Sequence, residues 1–499
     1  MKTKDTGDGV STVDKYKARI VYRGDLQQYG EDFDATWAPV AKFSSIRMLL
    51  AWAGTHGYKV RQLDFVAAFL NGELDEEIYM EQPEGYAHMH MDEHGQPMVC
   101  KLNKSLYGLK QAGRVWYRTL CKWLFSHNFI ALKSDSCVFI QSNGGEFVVF
   151  VVYVDDVLMF GNSHNMQEAV LRSLHADFDV EDKGDVQYYV GINVQMKDGR
   201  VHMDQRKMIH DNLEKFGLED ANPCVTPIST SHYKHHMDTD GQQPLDPTDH
   251  KVYRSMVGAL VYIAVGTRPD IAYAVSLVSS ALHAPCMADM WAVKRVWKYL
   301  KHSADRCLTY SNKDSTLRIS TDSNYAGCLK TGRSHTGYVT CMFGGPISWK
   351  SCRQPTVALS TSEAEWMAVC AGAQEMLYLW QMTEETGLLA LKQQLPIQLY
   401  ADNKGALHMA HEGSDSTRTR HMSVRYHFVK DLVTEGKLTP IYVHSSDNAA
   451  DGLTKALPRP AHERSTNRLL GQERQLQPGG TPMNLLLEAQ LLSINPHCM

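Results

Sequence analysis

The longest uninterrupted apolar stretch of the chain, Phe147 to Val154, runs directly into two acids: Phe147-Val-Val-Phe-Val-Val-Tyr-Val-Asp155-Asp156-Val-Leu-Met-Phe160-Gly161. β-Rich apolar runs on both sides of the pair predict a hairpin with Asp155 and Asp156 at or beside its turn. Bare carboxylates beside so much apolar surface are expensive unless a cation compensates them. Upstream, Tyr58-Lys-Val-Arg-Gln-Leu-Asp64 reads as a strand ending in another acid, followed by Phe65-Val-Ala-Ala-Phe69-Leu. If the two strands are neighbours, three carboxylates converge at one sheet edge. Such a cluster can hold two Mg2+ ions about 3.5–4 Å apart, activating a 3′-hydroxyl and stabilising a leaving pyrophosphate. Adjacent aspartates are also common turn formers; Asp64, in its context, weighs against a plain turn.

A second set of acids lies downstream. Thr316-Leu-Arg-Ile-Ser-Thr-Asp322 predicts a strand ending in Asp322, and Ser360-Thr-Ser-Glu363-Ala-Glu365-Trp-Met-Ala predicts the start of a capped helix. Gln398-Leu-Tyr-Ala-Asp402-Asn-Lys predicts a strand-to-helix junction, and Asp447-Asn-Ala-Ala-Asp451-Gly-Leu-Thr-Lys455 the opening of a late helix. Taken singly, each acid is better read as a helix cap or a solvated charge. Two histidine clusters, His88, His90 and His94, then His232, His235 and His236, have no matching cysteines or rigid spacing. They read as solvated loop residues rather than zinc ligands.

The elements that must position these acids fall into three blocks. Residues 15 to about 215 mix short strands and helices, and 222–250 is a turn-rich stretch with Pro223, Pro227, Pro244 and Pro247. Tyr253 to Tyr310 is mostly helical in pattern, and a strand near Leu317 opens a third block reaching about 458; beyond Arg459 the periodicity is lost. The chain carries 51 Lys+Arg against 56 Asp+Glu, a formal charge of −5, with 43% apolar and 21% charged residues. That composition excludes a wholly disordered or fibrous chain and requires any nucleic-acid surface to be local. Lys101 to Ser134 is one candidate: Lys101, Lys104, Lys110, Arg114, Arg118, Lys122 and Lys133 stand there without an acid, interleaved with Trp116, Tyr117 and Trp123. Ser416 to Lys430 is another. Clustered cations neutralise phosphates while aromatic faces stack on bases; alternatively Trp116, Leu120 and Trp123 keep core spacing on a solvated helix. The 11 cysteines lack any CxxC pair, which fits reduced thiols inside a cell. No apolar run approaches the roughly 20 residues of a membrane span, and no leader pattern directs secretion.

Tyr153-Val154-Asp155-Asp156 resembles the YxDD signature of reverse transcriptases, and longer strings are similar to those of copia-type retrotransposon Pol polyproteins. These are Tyr16-Lys-Ala-Arg-Ile-Val21, Gln62-Leu-Asp64-Phe-Val-Ala-Ala-Phe-Leu-Asn-Gly72, Tyr79-Met-Glu-Gln-Pro-Glu-Gly85 and Leu106-Tyr-Gly-Leu-Lys-Gln-Ala112. Tyr253-Arg-Ser-Met-Val-Gly-Ala-Leu and Thr267-Arg-Pro-Asp-Ile-Ala-Tyr-Ala continue the likeness, which covers residues 15 to about 465. The resemblance implies an α+β fold: a right-hand polymerase with fingers and palm, a mostly helical connection and a ribonuclease H-like domain. It implies that Asp64, Asp155 and Asp156 bind metal for polymerisation, and that Asp322, Glu365, Asp402 and Asp451 bind metal for RNA cleavage. Glu365 is preferred to Glu363 because Glu365-Trp-Met-Ala keeps the family's register. Phe69 takes the bulky position that excludes a ribose 2′-hydroxyl, and is equally readable as a core aromatic. Lys17 and Arg19 are triphosphate candidates; Gly108, Lys110 and Gln111 match the segment beneath template and nucleotide, and His421 and Arg425 match a basic, hybrid-binding helix. Gly113 stands where the family usually has proline.

The expected organisation is therefore 1–221 for fingers, palm and the start of a thumb, read as N-terminally truncated because the family has another fingers strand before Tyr16. Residues 222–312 form the linker and connection, 313–460 the ribonuclease H-like domain, and 461–499 a loose tail. The expected function is RNA-directed DNA polymerase with ribonuclease H, acting on an RNA template, DNA primer, RNA–DNA hybrid and dNTPs. Two Mg2+ ions per site are expected from the all-oxygen ligands, and Mn2+ also fits. The expected location is intracellular, in cytoplasmic particles with nuclear access and no membrane partner. Two rivals are a catalytically inactive remnant that only binds nucleic acid, and a subunit that needs a partner chain to complete its fingers.

Overall fold

The computed structural model describes residues 2–5, 11–15, 18–83, 85–86, 90–230, 243–312, 314–387, 395–411 and 423–472. β-Branched and aromatic runs flanking the aspartate pair form strands Glu146–Tyr153 and Asp156–Gly161, paired antiparallel from Tyr153↔Asp156 to Val148↔Gly161. They sit inside a six-stranded sheet in the order Val180–Asp185, Val60–Phe65, Asp156–Gly161, Glu146–Tyr153, Val138–Asn143, Ile130–Ala131. Because the hairpin strands are covered on both faces, they read as continuous apolar runs rather than alternating ones.

The chain divides into two compact units. The first comprises Met1–Ala41, Arg61–Leu132 and Ser136–Gly184; the second comprises Lys42–Val60, Lys133–Asp135 and Asp185–Met499. This division cuts across the blocks seen in sequence, since the helix Phe43–Thr55 is counted with the second unit and that unit resumes at Asp185. Arg47 is one cause. Buried on that helix, it donates to the carbonyls of Ile347 (2.7 Å), Val265 (2.6 Å) and Gly266 (2.9 Å), and lies over the Trp349 ring at 3.9 Å. A cation there also complements the C-terminal end of the helix Pro247–Gly266, a relation that local composition cannot reveal.

In the second unit, helices Pro247–Gly266, Ala272–Ser279 and Met287–His302 build a core from Tyr253, Leu260, Ile263, Val293, Trp297 and Leu300. Their Thr267-Arg268-Pro-Asp270 connection is buried. The Arg268 guanidinium binds Asp270 through two hydrogen bonds (2.8 and 2.7 Å) and also reaches the Ser303 carbonyl and hydroxyl, while Tyr299 donates to Asp270 at 2.6 Å. Burial alone pushes the Asp270 carboxyl up; the Arg268 charge and these hydrogen bonds win and hold it at about 2.

A five-stranded sheet follows, in the order Gly345–Arg353, His335–Met342, Arg318–Asn324, Ile397–Ala401, Leu438–Tyr442. The first two pairings are antiparallel and the last two parallel. Across it lies the helix Thr361–Thr386. Its approach depends on Gly372, where a Cβ would fall 2.7 Å from Cγ2 of Thr321.

Two expectations change. The tail assigned from 461 begins instead with the helix Arg459–Leu469, which buries His462, Ser465, Thr466 and Leu469. A buried face made mostly of small and polar residues carries no hydrophobic period, so the pattern was invisible. The helix predicted to open at Asp447 is two short 3-10 turns, Ser445–Asp447 and Asp451–Leu453; regular helix waits until after Pro458. Among the described residues all cysteines are free, and no helix is long and apolar enough to cross a membrane.

Candidate active sites

In the first unit, Asp64 sits near the end of the Val60–Phe65 strand, and the Phe65 amide donates to the Asp155 carbonyl at 3.2 Å. The three acids predicted from sequence thus share one end of the sheet. Val154, in the turn between the hairpin strands, has φ 58°. Left-handed backbone at a β-branched residue costs about 1–3 kcal/mol and persists only when its surroundings enforce it. The indole of Trp116 does so in part, donating to the Val154 carbonyl at 2.8 Å while its ring packs against Phe65 and Phe178.

Asp156 accepts from Gln62 Nε2 at 3.4 Å, and burial, followed by the charges of Asp155 and Asp64, pushes its carboxyl above the usual range. Asp64 Oδ2 is instead taken by Lys183 Nζ at 2.5 Å, from the neighbouring strand. Among the described residues these three acids do not close into a tight ligand group; the trio that does is Asp322, Glu365 and Asp402, whose ligand atoms lie within 4.8 Å of one another.

That trio is assembled from three elements of the second unit. Asp322 belongs to the strand Arg318–Asn324, and Asp402 follows its parallel neighbour Ile397–Ala401. Glu365 lies in the first turns of the Thr361–Thr386 helix, whose Ser360 cap accepts from the Glu363 amide at 3.1 Å. Glu363 turns back to accept from the Leu359 amide at 2.8 Å, so the structure separates the two glutamates: one closes the helix start, the other enters the cluster. Asp322 is 2% exposed and Glu365 6%. Burial, with the neighbouring carboxylates, pushes Asp322 up to about 7 and Glu365 up to about 8.

The Glu365 Oε1 accepts from the Ser323 amide at 3.2 Å, whereas Oε2 is buried with no hydrogen-bond partner. An orphaned carboxylate oxygen beside two further acids is the hard-oxygen donor set that suits Mg2+ or Mn2+. Thr454 Oγ1 donates to Asp322, and Ser445 Oγ donates to Asp402 at 2.5 Å. Asp451, the fourth predicted acid, is not in the trio; it pairs with Lys455 at 2.5 Å.

Residues 2–230 match the family model described as reverse transcriptase (RNA-dependent DNA polymerase). The Pol polyprotein of transposon TNT 1-94 from Nicotiana tabacum is 37% identical over 462 residues, covering 91% of this chain and 34% of that protein. That of transposon RE1 from Arabidopsis thaliana is 35% identical over 468 residues, covering 93% and 31%. The chain belongs to the copia-type Pol family. It spans about a third of the length of these curated relatives. An uncharacterized mitochondrial protein of A. thaliana is also similar, 36% identical over 230 residues, which cover 46% of this chain and 92% of that one.

The remaining candidates of the reverse transcriptase domain are placed unevenly. Phe69 is half-buried, its ring tilted 55° against Tyr107 at a centroid distance of 4.8 Å and packed on the small core of Ile78, Leu109 and Ala112. Arg19 is exposed, its guanidinium 5.5 Å from the Tyr107 ring. Gly108 has φ +94°, and a Cβ there would sit 2.1 Å from the Tyr22 carbonyl oxygen; no other residue fits. Lys110 donates through Nζ to the Gln27 carbonyl at 3.0 Å. Gln111 is 1% exposed; its Nε2 donates to the Asp32 carbonyl at 2.8 Å and its Oε1 accepts from Gln27 Nε2 at 3.1 Å. In the basic stretch, Trp116 and Trp123 are buried, and Arg118 pairs with Asp75 at 2.5 Å; its tryptophans are core, not stacking platforms.

Lys17, His88, His232, His235, His236 and His421 lie outside the described residues, and Arg425 falls on the helix Ser423–Thr434. His90 and His94 are exposed. The sequence reading missed Lys183, Lys455 and Thr454 as partners of the acids, and Trp116 as the support of the Val154 turn beside them. Only Lys455 left a signal, its four-residue spacing from Asp451.

Proposed function

We propose that this chain is an RNA-directed DNA polymerase with ribonuclease H, extending a DNA primer on RNA and then DNA with dNTPs, and cutting the RNA strand of the hybrid. The observation that carries the nuclease half is the buried Asp322–Glu365–Asp402 trio with an unpartnered Glu365 Oε2. The polymerase half is supported by the family match over residues 2–230 and by Asp64 meeting Asp155-Asp156 at one end of the sheet. At each site, two Mg2+ ions would activate the attacking oxygen and stabilise the departing one.

The chain's own residues supply position. Asp64, Asp155 and Asp156 would hold the ions beside the primer end, with the strained Val154 turn and Trp116 fixing where Asp155 projects. Phe69 would stand against the sugar of an incoming nucleotide, with Arg19 and Lys17 toward its phosphates. Asp322, Glu365, Asp402 and Asp451 would do the corresponding work on a scissile phosphate, with His421 and Arg425 on the hybrid. The proposed division is polymerase 1–221, connection 222–312 and nuclease from 313, and the proposed site of action is inside the cell, in particles.

One assay tests both halves: primer extension by the purified chain on a labelled RNA template, so that synthesis and cleavage are read together. Extension and cleavage by the wild type are expected; a chain that binds the duplex and does neither is the inactive remnant.

A further inference from the structure

We propose that Lys455 is a positioning residue that holds Asp451 out of the Asp322–Glu365–Asp402 trio until a second divalent cation displaces its ammonium. The proposal rests on reading the trio as the nuclease site. Three acids already lie within 4.8 Å of one another and the fourth does not join them. Lys455 Nζ instead lies 2.5 Å from Asp451 Oδ1, yet that buried oxygen has no aligned hydrogen bond. The pair is therefore held by charge, and a divalent ion offers the same oxygen twice the charge.

The backbone around Asp451 is fixed independently of this pair. Asn448 Nδ2 donates to the Thr321 carbonyl at 2.8 Å, and Thr454 Oγ1 bonds both Asp322 and the Asp451 carbonyl. The Lys455 side chain is 43% exposed against 17% for Asp451, so the ammonium can swing to water or to a substrate phosphate while the carboxylate stays. Lysine's long flexible stem suits that movement. The same short segment, Asp451-Gly-Leu-Thr454-Lys455, so provides a ligand, a hydrogen bond to a second ligand, and the cation that restrains the first.

The test is a Mn2+ titration of the full chain followed by electron paramagnetic resonance of the free ion, in an Asp64→Asn/Asp155→Asn background that silences the polymerase acids. Lys455→Met keeps the stem and removes the charge. It is expected to tighten the second ion about tenfold, within the usual range of coupling between two bound species, and to leave the first ion unchanged. Lys455→Arg, which keeps the charge, should leave second-ion affinity near the wild-type value. Unchanged or weaker second-ion binding in Lys455→Met, with Asp322→Asn still abolishing binding, overturns this proposal alone. Binding that survives both Asp322→Asn and Glu365→Gln overturns the nuclease reading and this proposal with it.

Discussion

Asp322 and Glu365 hold their protons far above the pH at which free carboxyls release them, and that alone sets a pH signature for the metal-free chain. Their folded pKa values, about 7 and about 8, exceed the unfolded ones, so the native state binds more protons. The resulting stability is fully present below about pH 4 and is lost as pH rises through about 7 to 8. In chelator, the melting temperature should fall between pH 5 and pH 8, and Asp322→Asn with Glu365→Gln should flatten that fall. A wild-type chain with no such slope would show that the acids are not protonated. Added Mg2+ should reverse the trend, because it binds the charged forms. At the hairpin, Val154→Gly removes the left-handed strain at φ 58°. It should leave stability unchanged or higher by about 1 kcal/mol, while lowering primer extension because Asp155 is less tightly aimed. Urea unfolding and single-turnover extension measure the two effects separately.

At the scale of elements, close packing between the Thr361–Thr386 helix and the Arg318–Asn324 strand decides whether Glu365 meets Asp322. Gly372→Val would drive a side chain into Thr321, where even a Cβ sits at 2.7 Å. Displacing the helix by about 1 Å should cost about a hundredfold in hybrid cleavage, with primer extension retained. Equal loss of both activities would point to misfolding instead. The Arg268–Asp270 pair sets the corresponding test for the helical core. Arg268→Met leaves Asp270 buried and unpaired and should destabilise the chain by about 3–5 kcal/mol. Adding Asp270→Asn should recover part of that loss, as urea denaturation of single and double variants would show. The Arg459–Leu469 helix carries the opposite lesson for sequence reading: its buried His462, Ser465 and Thr466 pack on a polar-looking face, so burial there follows from neighbours rather than from composition.

For the whole molecule, the two candidate sites fall in different compact units. Asp155→Asn is therefore expected to abolish primer extension and leave hybrid cleavage, and Asp322→Asn to do the reverse; a labelled-template assay reads both. Chelation should stop both reactions at once. What the amino-acid order determined by itself was mostly local: that Asp64 and Asp322 lie on strands, that Glu365 lies near the start of a capped helix and, from short strings, that the chain is of the copia Pol type. Those features survive in sequence because they depend on neighbours a few positions away. Tertiary structure alone decided that Asp322, Glu365 and Asp402 close into one tight group while Asp451 stays outside it, that Asp64 and Asp451 are each met by a lysine, and that Trp116 and Trp123 belong to the core. Each of those outcomes depends on burial and ångström-scale distance between segments far apart along the chain. No periodicity encodes such distances, because they are set only when strands pair and a helix settles across them.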